Sequence, residues 1–165
     1  MDKKTIGKSR SIDYNDLDPT LQSGTLLKAS YMATILIVDD DDAIRETLYD
    51  LLSEQYECHT AGMAEEALEY LAVQTYDAVL TDISMPGLTG LELLLRVQQE
   101  NSDTPVILIS GKGAEEDGEA LIRLGAFVYV TKPFSLDQIE LIVERAVEQR
   151  LFAGKPEETG PKRFN

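Results

Sequence analysis

Tyr76-Asp77-Ala78-Val79-Leu80-Thr81-Asp82-Ile83-Ser84-Met85-Pro86-Gly87-Leu88-Thr89-Gly90 is the stretch on which the fold turns. Ala78, Val79 and Leu80 are apolar with no polar alternation, which is how a strand covered on both faces of a parallel sheet reads. Pro86, Gly87 and Gly90 crowd the positions that follow, so the strand ends in a loop. Asp82 therefore sits where a buried strand runs out to solvent, and in open α/β sheets that carboxyl edge is where ligands and chemistry gather. A lone Asp at such a point reads as the cap of the next helix. The other strand ends decide what Asp82 is.

Working outward, Thr34–Val38 (TILIV) and Glu57–Ala61 read as strands upstream, and Thr104–Ser110 (TPVILIS) and Ala126–Thr131 (AFVYVT) as strands downstream. Helical spacing places Ile44, Leu48, Leu51 and Leu52 on a first helix and Ala64, Ala67, Leu68 and Leu71 on a second. Leu88, Leu91, Leu94 and Leu95 mark a third. The fourth contains Gly118, which costs about 1 kcal/mol against Ala and makes it the softest. The fifth opens at Ser135-Leu136-Asp137-Gln138, a capping box, and carries Ile139, Ile142, Val143, Ala146 and Val147 inward. Five strand–helix alternations with short connections predict an α/β domain: a flavodoxin-like, doubly wound (βα)5 fold with a five-stranded parallel sheet in the order 2-1-3-4-5.

The chain has 165 residues and a formal net charge of −15. One domain with tails is expected at that length. Residues 1–31 hold five basic and four acidic side chains among scattered apolar ones and read as a flexible arm or leader. The domain is expected over 32–151, and 152–165, with its Gly and Pro residues, reads as a tail or linker. So acidic a surface repels phosphate backbones and anionic lipid, which excludes direct nucleic-acid and membrane binding and favours a protein partner or a cation. The apolar runs are strand-sized, too short to span a membrane. The single cysteine, Cys58, excludes an internal disulfide and fits a reducing, cytoplasmic setting.

In a 2-1-3-4-5 sheet, Asp39 and Asp40 after the first strand, Asp82 after the third, Ser110 after the fourth and Lys132 after the fifth meet on one edge. Carboxylates packed together repel, and a hard divalent cation relieves that. Mg2+ takes one or two carboxylates, waters and a phosphate oxygen, and Mn2+ suits the same ligands. With the metal held, Asp82 stays ionised and can act as a nucleophile toward phosphorus. Lys132 then offers a point charge to one phosphoryl oxygen and Ser110 a hydrogen bond to another.

Val38-Asp39-Asp40, Asp82-Ile83-Ser84-Met85-Pro86-Gly87, Ser110 and Lys132-Pro133-Phe134 together resemble the receiver domain of two-component response regulators, over about 34–150. The resemblance implies Asp82 as phosphoacceptor, Asp39 and Asp40 as Mg2+ ligands with the Ser84 backbone carbonyl, and Lys132 on the phosphoryl group. It implies a cis Lys132–Pro133 bond, Ser110 as switch hydroxyl, Tyr129 as switch aromatic, and Ser84 and Lys112 as the residues tuning phosphate lifetime. It also implies a histidine kinase or phosphotransfer protein as donor, a downstream protein target or effector domain, and a face of fourth helix, fifth strand and fifth helix that could form a homodimer. No turnover of a separate substrate is implied.

Two other readings compete. A haloacid-dehalogenase-type phosphatase would use Asp39 as nucleophile with Asp41 two residues on, but Ala43 departs from its motif. A flavin-binding module lacks its phosphate loop after the first strand. His59, Cys58 and Met85 read as packing or surface residues, and Glu115, Glu116, Asp117 and Glu119 as a solvated face.

Overall fold

The computed structural model of the chain describes residues 31–101, 103–111 and 118–153. The compact unit starts at Ala33. Most of the expected N-terminal arm and C-terminal tail lie outside the described residues, as do Lys112, Glu115, Glu116 and Asp117.

Five short apolar runs pair because each has two faces to bury. β1 (Thr34–Val38), β2 (Glu57–Ala61), β3 (Ala78–Asp82), β4 (Val106–Ser110) and β5 (Val128–Thr131) form one sheet in the order β2-β1-β3-β4-β5, every neighbouring pair parallel. The flavodoxin-like order read from the sequence is the observed one. β4 and β5 start two residues later than the apolar runs suggest. Pro105 has no N–H for a ladder, and Ala126 is still engaged in a turn, its N–H donating to the Leu121 carbonyl beside Gly125 at φ +106°.

The helices are α1 (Asp42–Leu52), α2 (Ala64–Val73), α3 (Gly90–Glu100), α4 (Gly118–Arg123) and α5 (Leu136–Ala153). Alternate residues of each central strand feed opposite cores. Leu36, Val38, Val79 and Leu108 pack with Ala64, Ala67, Leu93, Leu94 and Leu121 of α2–α4. Ile35, Ile37, Leu80 and Ile109 pack with Leu48 and Leu52 of α1 and Ile139, Val143 and Ala146 of α5. β3 and β4 are buried along their whole length. At about 1.5–3 kcal/mol per fully buried aliphatic side chain, the two central strands rigidly fix the edge where they end.

α3 corrects the sequence reading. Thr89 caps it through a full capping box with Glu92, so Leu88 stays in the loop. The buried face is Gly90, Leu93, Leu94 and Val97, while Leu95 is exposed. Asp41 caps α1, accepting from the N–H groups of Ala43 and Ile44, and the Gln138 N–H donates to Ser135 Oγ ahead of α5. No helix among the described residues is long and apolar enough to cross a membrane.

Candidate functional site

Parallel register assembles the site. Val38 pairs with Thr81, so Asp39 and Asp82 leave adjacent strands side by side. Asp82 pairs with Ile109 and Thr131 with Ser110, which puts Ser110 one step beyond Asp82 and Lys132 one step beyond that pair. Asp39, Asp40 and Asp82 each place a carboxylate oxygen within 4.8 Å of the other two. Asp39 and Asp82 are buried and Asp40 is exposed, so the group opens to solvent on one side. Lys132 Nζ lies 3.3 Å from Asp82 Oδ2 and 3.4 Å from Asp39 Oδ2, and the Lys132–Pro133 bond is cis.

Burial pushes the Asp39 carboxyl above its ordinary value, and the charge on Asp82 adds to this; the Asp41 N–H, at 2.9 Å from Asp39 Oδ1, and Lys132 pull the other way and lose. Burial alone would lower Lys132, yet the charges of Asp39 and Asp82 outweigh it and hold the ammonium above its usual range. The site therefore has surplus negative charge that a single ammonium does not neutralise. Three convergent carboxylates with one solvent-facing member form an oxygen donor set that fits a hard divalent cation.

The remaining sequence-chosen residues are placed around this group. Ser110 is buried and its Oγ donates to the Gly111 carbonyl at 3.3 Å. Ser84 is exposed on the loop after β3. Tyr129 is half-buried and packs toward α4: a Cβ on Gly118 would lie 2.3 Å from the Tyr129 Cε1. Gly118 is thus the seat of a ring, a role the sequence reading, which treated it as a soft point in a helix, did not see. His59 lies on β2, its Nδ1 2.8 Å from the Tyr76 hydroxyl, and Met85 is buried in the core.

Two residues to which the sequence reading gives no role at the site, Arg45 and Gly90, shape it. Arg45 reaches back from α1, donating from Nη1 to the Asp39 carbonyl at 2.7 Å and pairing with Asp42 through Nη2. Gly90 brings its backbone against Asp82, since a Cβ there would lie 2.0 Å from the Asp82 carbonyl oxygen; its N–H donates to the Ile83 carbonyl at 2.9 Å. The Thr89-Gly90-Leu91-Glu92 run carries the capping-box spacing that could have located this helix start.

A parallel 2-1-3-4-5 sheet with paired acids after β1, a central Asp ending β3 and a Lys-Pro after β5 defines a receiver-type signalling domain. The family model of the response regulator receiver domain matches residues 35–144, and the chain belongs to that family. Regulatory protein AtoC of Escherichia coli is 41% identical over 115 residues, covering 69% of this chain and 25% of AtoC. The chain spans about a quarter of the length of AtoC and of the NtrX and NtrC relatives it matches, and 47% of DltR from Streptococcus agalactiae. Among solved structures, the receiver domain of NtrX from Brucella abortus is 38% identical with a TM-score of 0.65, over 69% of this chain and 98% of that one. A CheY-like receiver domain protein from Methanospirillum hungatei is 27% identical with a TM-score of 0.71, over 75% and 100%. Membership removes the phosphatase and flavin-binding readings.

Proposed function

We propose that the chain is a phosphorylation-activated switch in a two-component phosphorelay, with Asp82 as the phosphoacceptor. The observation that carries this reading is the convergence of Asp39, Asp40 and Asp82 with Lys132 at the open edge of the sheet. The donor would be a phosphohistidine of a histidine kinase or phosphotransfer protein. An Asp82 carboxylate oxygen forms the new bond to phosphorus as the phosphorus–nitrogen bond breaks. The imidazole leaves with the electron pair and regains its proton from solvent. Mg2+, or Mn2+, held by Asp39, Asp40, Asp82 and the Ser84 carbonyl, would supply positive charge to the phosphoryl oxygens. Lys132 is already within reach of Asp82 and contributes a second positive charge.

A cleft of about 520 Å3 opens beside Asp41 and Lys132, lined by Ile44, Thr47, Pro133, Phe134 and Leu136, and gives a donor protein an apolar footing next to the acceptor. The phosphoryl group adds charge and acceptor oxygens at the strand edge. Ser110 exchanges its bond to Gly111 for one to the phosphoryl group, and Tyr129 turns into the space vacated. The α4–β5–α5 face then presents a changed surface to a downstream protein or effector domain, or to a second copy of the chain. Ser84 and Lys112 set the lifetime of the phosphate, which the domain itself removes slowly; it turns over no other substrate. The domain acts in the cytoplasm, and its acidity leaves nucleic acid to partners.

Incubation with Mg2+ and acetyl phosphate, followed by intact-mass measurement, tests the assignment. Wild type gains one phosphate and Asp82→Asn gains none. Equal adducts on both would falsify it.

A further inference from the structure

We infer that Glu65, on α2, is a positioning residue for the loop that presents the Ser84 carbonyl, and that it acts through the backbone of Gly87 and Leu88. The inference rests on the proposed metal-dependent function and deepens it.

The loop between Asp82 and Gly90 is tied at its inner limb. The Ile83 N–H donates to the Ile109 carbonyl at 2.9 Å, the Gly90 N–H to the Ile83 carbonyl, and the side chains of Ile83 and Met85 are buried. The outer limb, Pro86 and Gly87, is exposed. There Glu65 Oε1 accepts the Leu88 N–H at 3.0 Å. The same oxygen occupies the space where a Cβ on residue 87 would stand, 2.5 Å away, and Gly87 holds φ +78°. Two independent features, a left-handed backbone and a close approach, thus make room for one carboxylate. The Leu88 N–H in turn holds the Glu65 carboxyl below its ordinary range.

Ser84 sits within the inner limb, between the buried Ile83 and Met85, three residues ahead of Gly87, where the outer tether begins. A loop fixed on both sides presents its carbonyl with less conformational freedom left to lose when a cation binds. Positioning groups outside the ligand shell tune metal affinity in this way. Glu65 is also negative, so attraction at a distance is the rival explanation, and the choice of variants separates the two.

The test uses the full chain and calorimetric Mg2+ titration of wild type, Glu65→Ala, Glu65→Gln, Gly87→Ala and Asp39→Asn, with hydrogen exchange read at the Leu88 amide. Glu65→Ala weakens Mg2+ about fivefold, the effect one accessible hydrogen bond supports, and speeds Leu88 exchange. Glu65→Gln keeps the acceptor without the charge and binds within about twofold of wild type on the same reasoning. Gly87→Ala attacks the contact from the loop side and weakens Mg2+ at least as far as Glu65→Ala. A Glu65→Ala protein that binds Mg2+ like wild type overturns the inference, as does a Glu65→Gln protein as weak as Glu65→Ala. Wild type without Mg2+ binding, or Asp39→Asn binding as well as wild type, overturns the underlying function and this inference with it.

Discussion

Lys132 Nζ bridges the two buried carboxylates of the site, 3.3 Å from Asp82 Oδ2 and 3.4 Å from Asp39 Oδ2. One ammonium from the end of β5 therefore joins acids from the ends of β3 and β1, three strands whose order alone brings them within reach. Lys132→Met leaves two crowded acids without their counter-charge. Breaking an enclosed pair costs about 3–5 kcal/mol, but Lys132 keeps 22% of its side chain exposed, so about 2 kcal/mol is expected without metal. The Mg2+-induced rise in Tm should be larger in this variant, because the cation no longer competes with an ammonium. The Lys132 pKa is raised above 10.5 in the fold, so the pair's stability is fully present below that pH and lost as pH climbs through the folded value. Lys132→Met should flatten that alkaline limb of a Tm-against-pH scan, and an unchanged limb would contradict the pairing.

Asp39 carries the opposite sign. Its carboxyl is raised from 3.8, chiefly by burial, so the fold disfavours its ionised form. That contribution to stability is present below the unfolded value and lost as pH rises through the folded one, which leaves the full cost in place at neutral pH. Asp39→Asn should raise the Tm measured in a chelator by about 3 °C, the equivalent of about 1 kcal/mol, and remove the Tm response to Mg2+. A lower Tm in chelator would mean that the pairing with Lys132 outweighs burial.

Gly90→Ala meets backbone. Its Cβ would stand 2.0 Å from the Asp82 carbonyl oxygen, which cannot rotate aside as a side-chain tip could. The loss should reach or exceed about 3 kcal/mol, the upper end for overpacking. A urea midpoint equal to wild type would show that the start of α3 can move away from β3.

Gly118→Ala pits two effects of different size against each other. Ala gains at most about 1 kcal/mol of helix propensity. The added methyl would lie 2.3 Å from Tyr129 Cε1, and such overpacking costs about 1–3 kcal/mol. Destabilisation is therefore expected in wild type, turning neutral or favourable in a Tyr129→Ala background. A double-mutant cycle with no coupling would place the ring elsewhere.

Cys58 is half-buried on β2, and burial, with Glu57 beside it, pushes its thiol from 9.0 up to about 11. At pH 8 that leaves about a hundredfold less thiolate than an ordinary Cys, a factor of ten per unit. Iodoacetamide should label the native protein about a hundredfold more slowly than the denatured one. Equal rates would put the thiol in open solvent.

Local pattern made much of the fold legible. The unbroken apolar runs at Ile35–Val38, Ala78–Leu80 and Val106–Ile109 are buried strands because nothing in them tolerates water, and the Pro and Gly after Asp82 end β3 where expected. Asp39, Asp40, Asp82 and Lys132 could be chosen as partners because each ends a strand or lies within two residues of a strand end, and strand order is restricted by short crossovers. The four leucines of α3 leave its phase ambiguous until the Thr89–Glu92 capping box sets the start.

What the amino-acid order determined by itself was the alternation of strands and helices, the acid-rich edge and the identity of its central carboxylate. Tertiary structure alone decided that Arg45 grips the Asp39 carbonyl, that Glu65 grips the Leu88 N–H, that Gly90 abuts Asp82 and that Gly118 seats Tyr129. The periodicities of a helix and a strand say which face of an element is buried. They do not say which polar group or ring a neighbouring element, 6 to 23 residues away in these contacts of Arg45 and Glu65, brings against it.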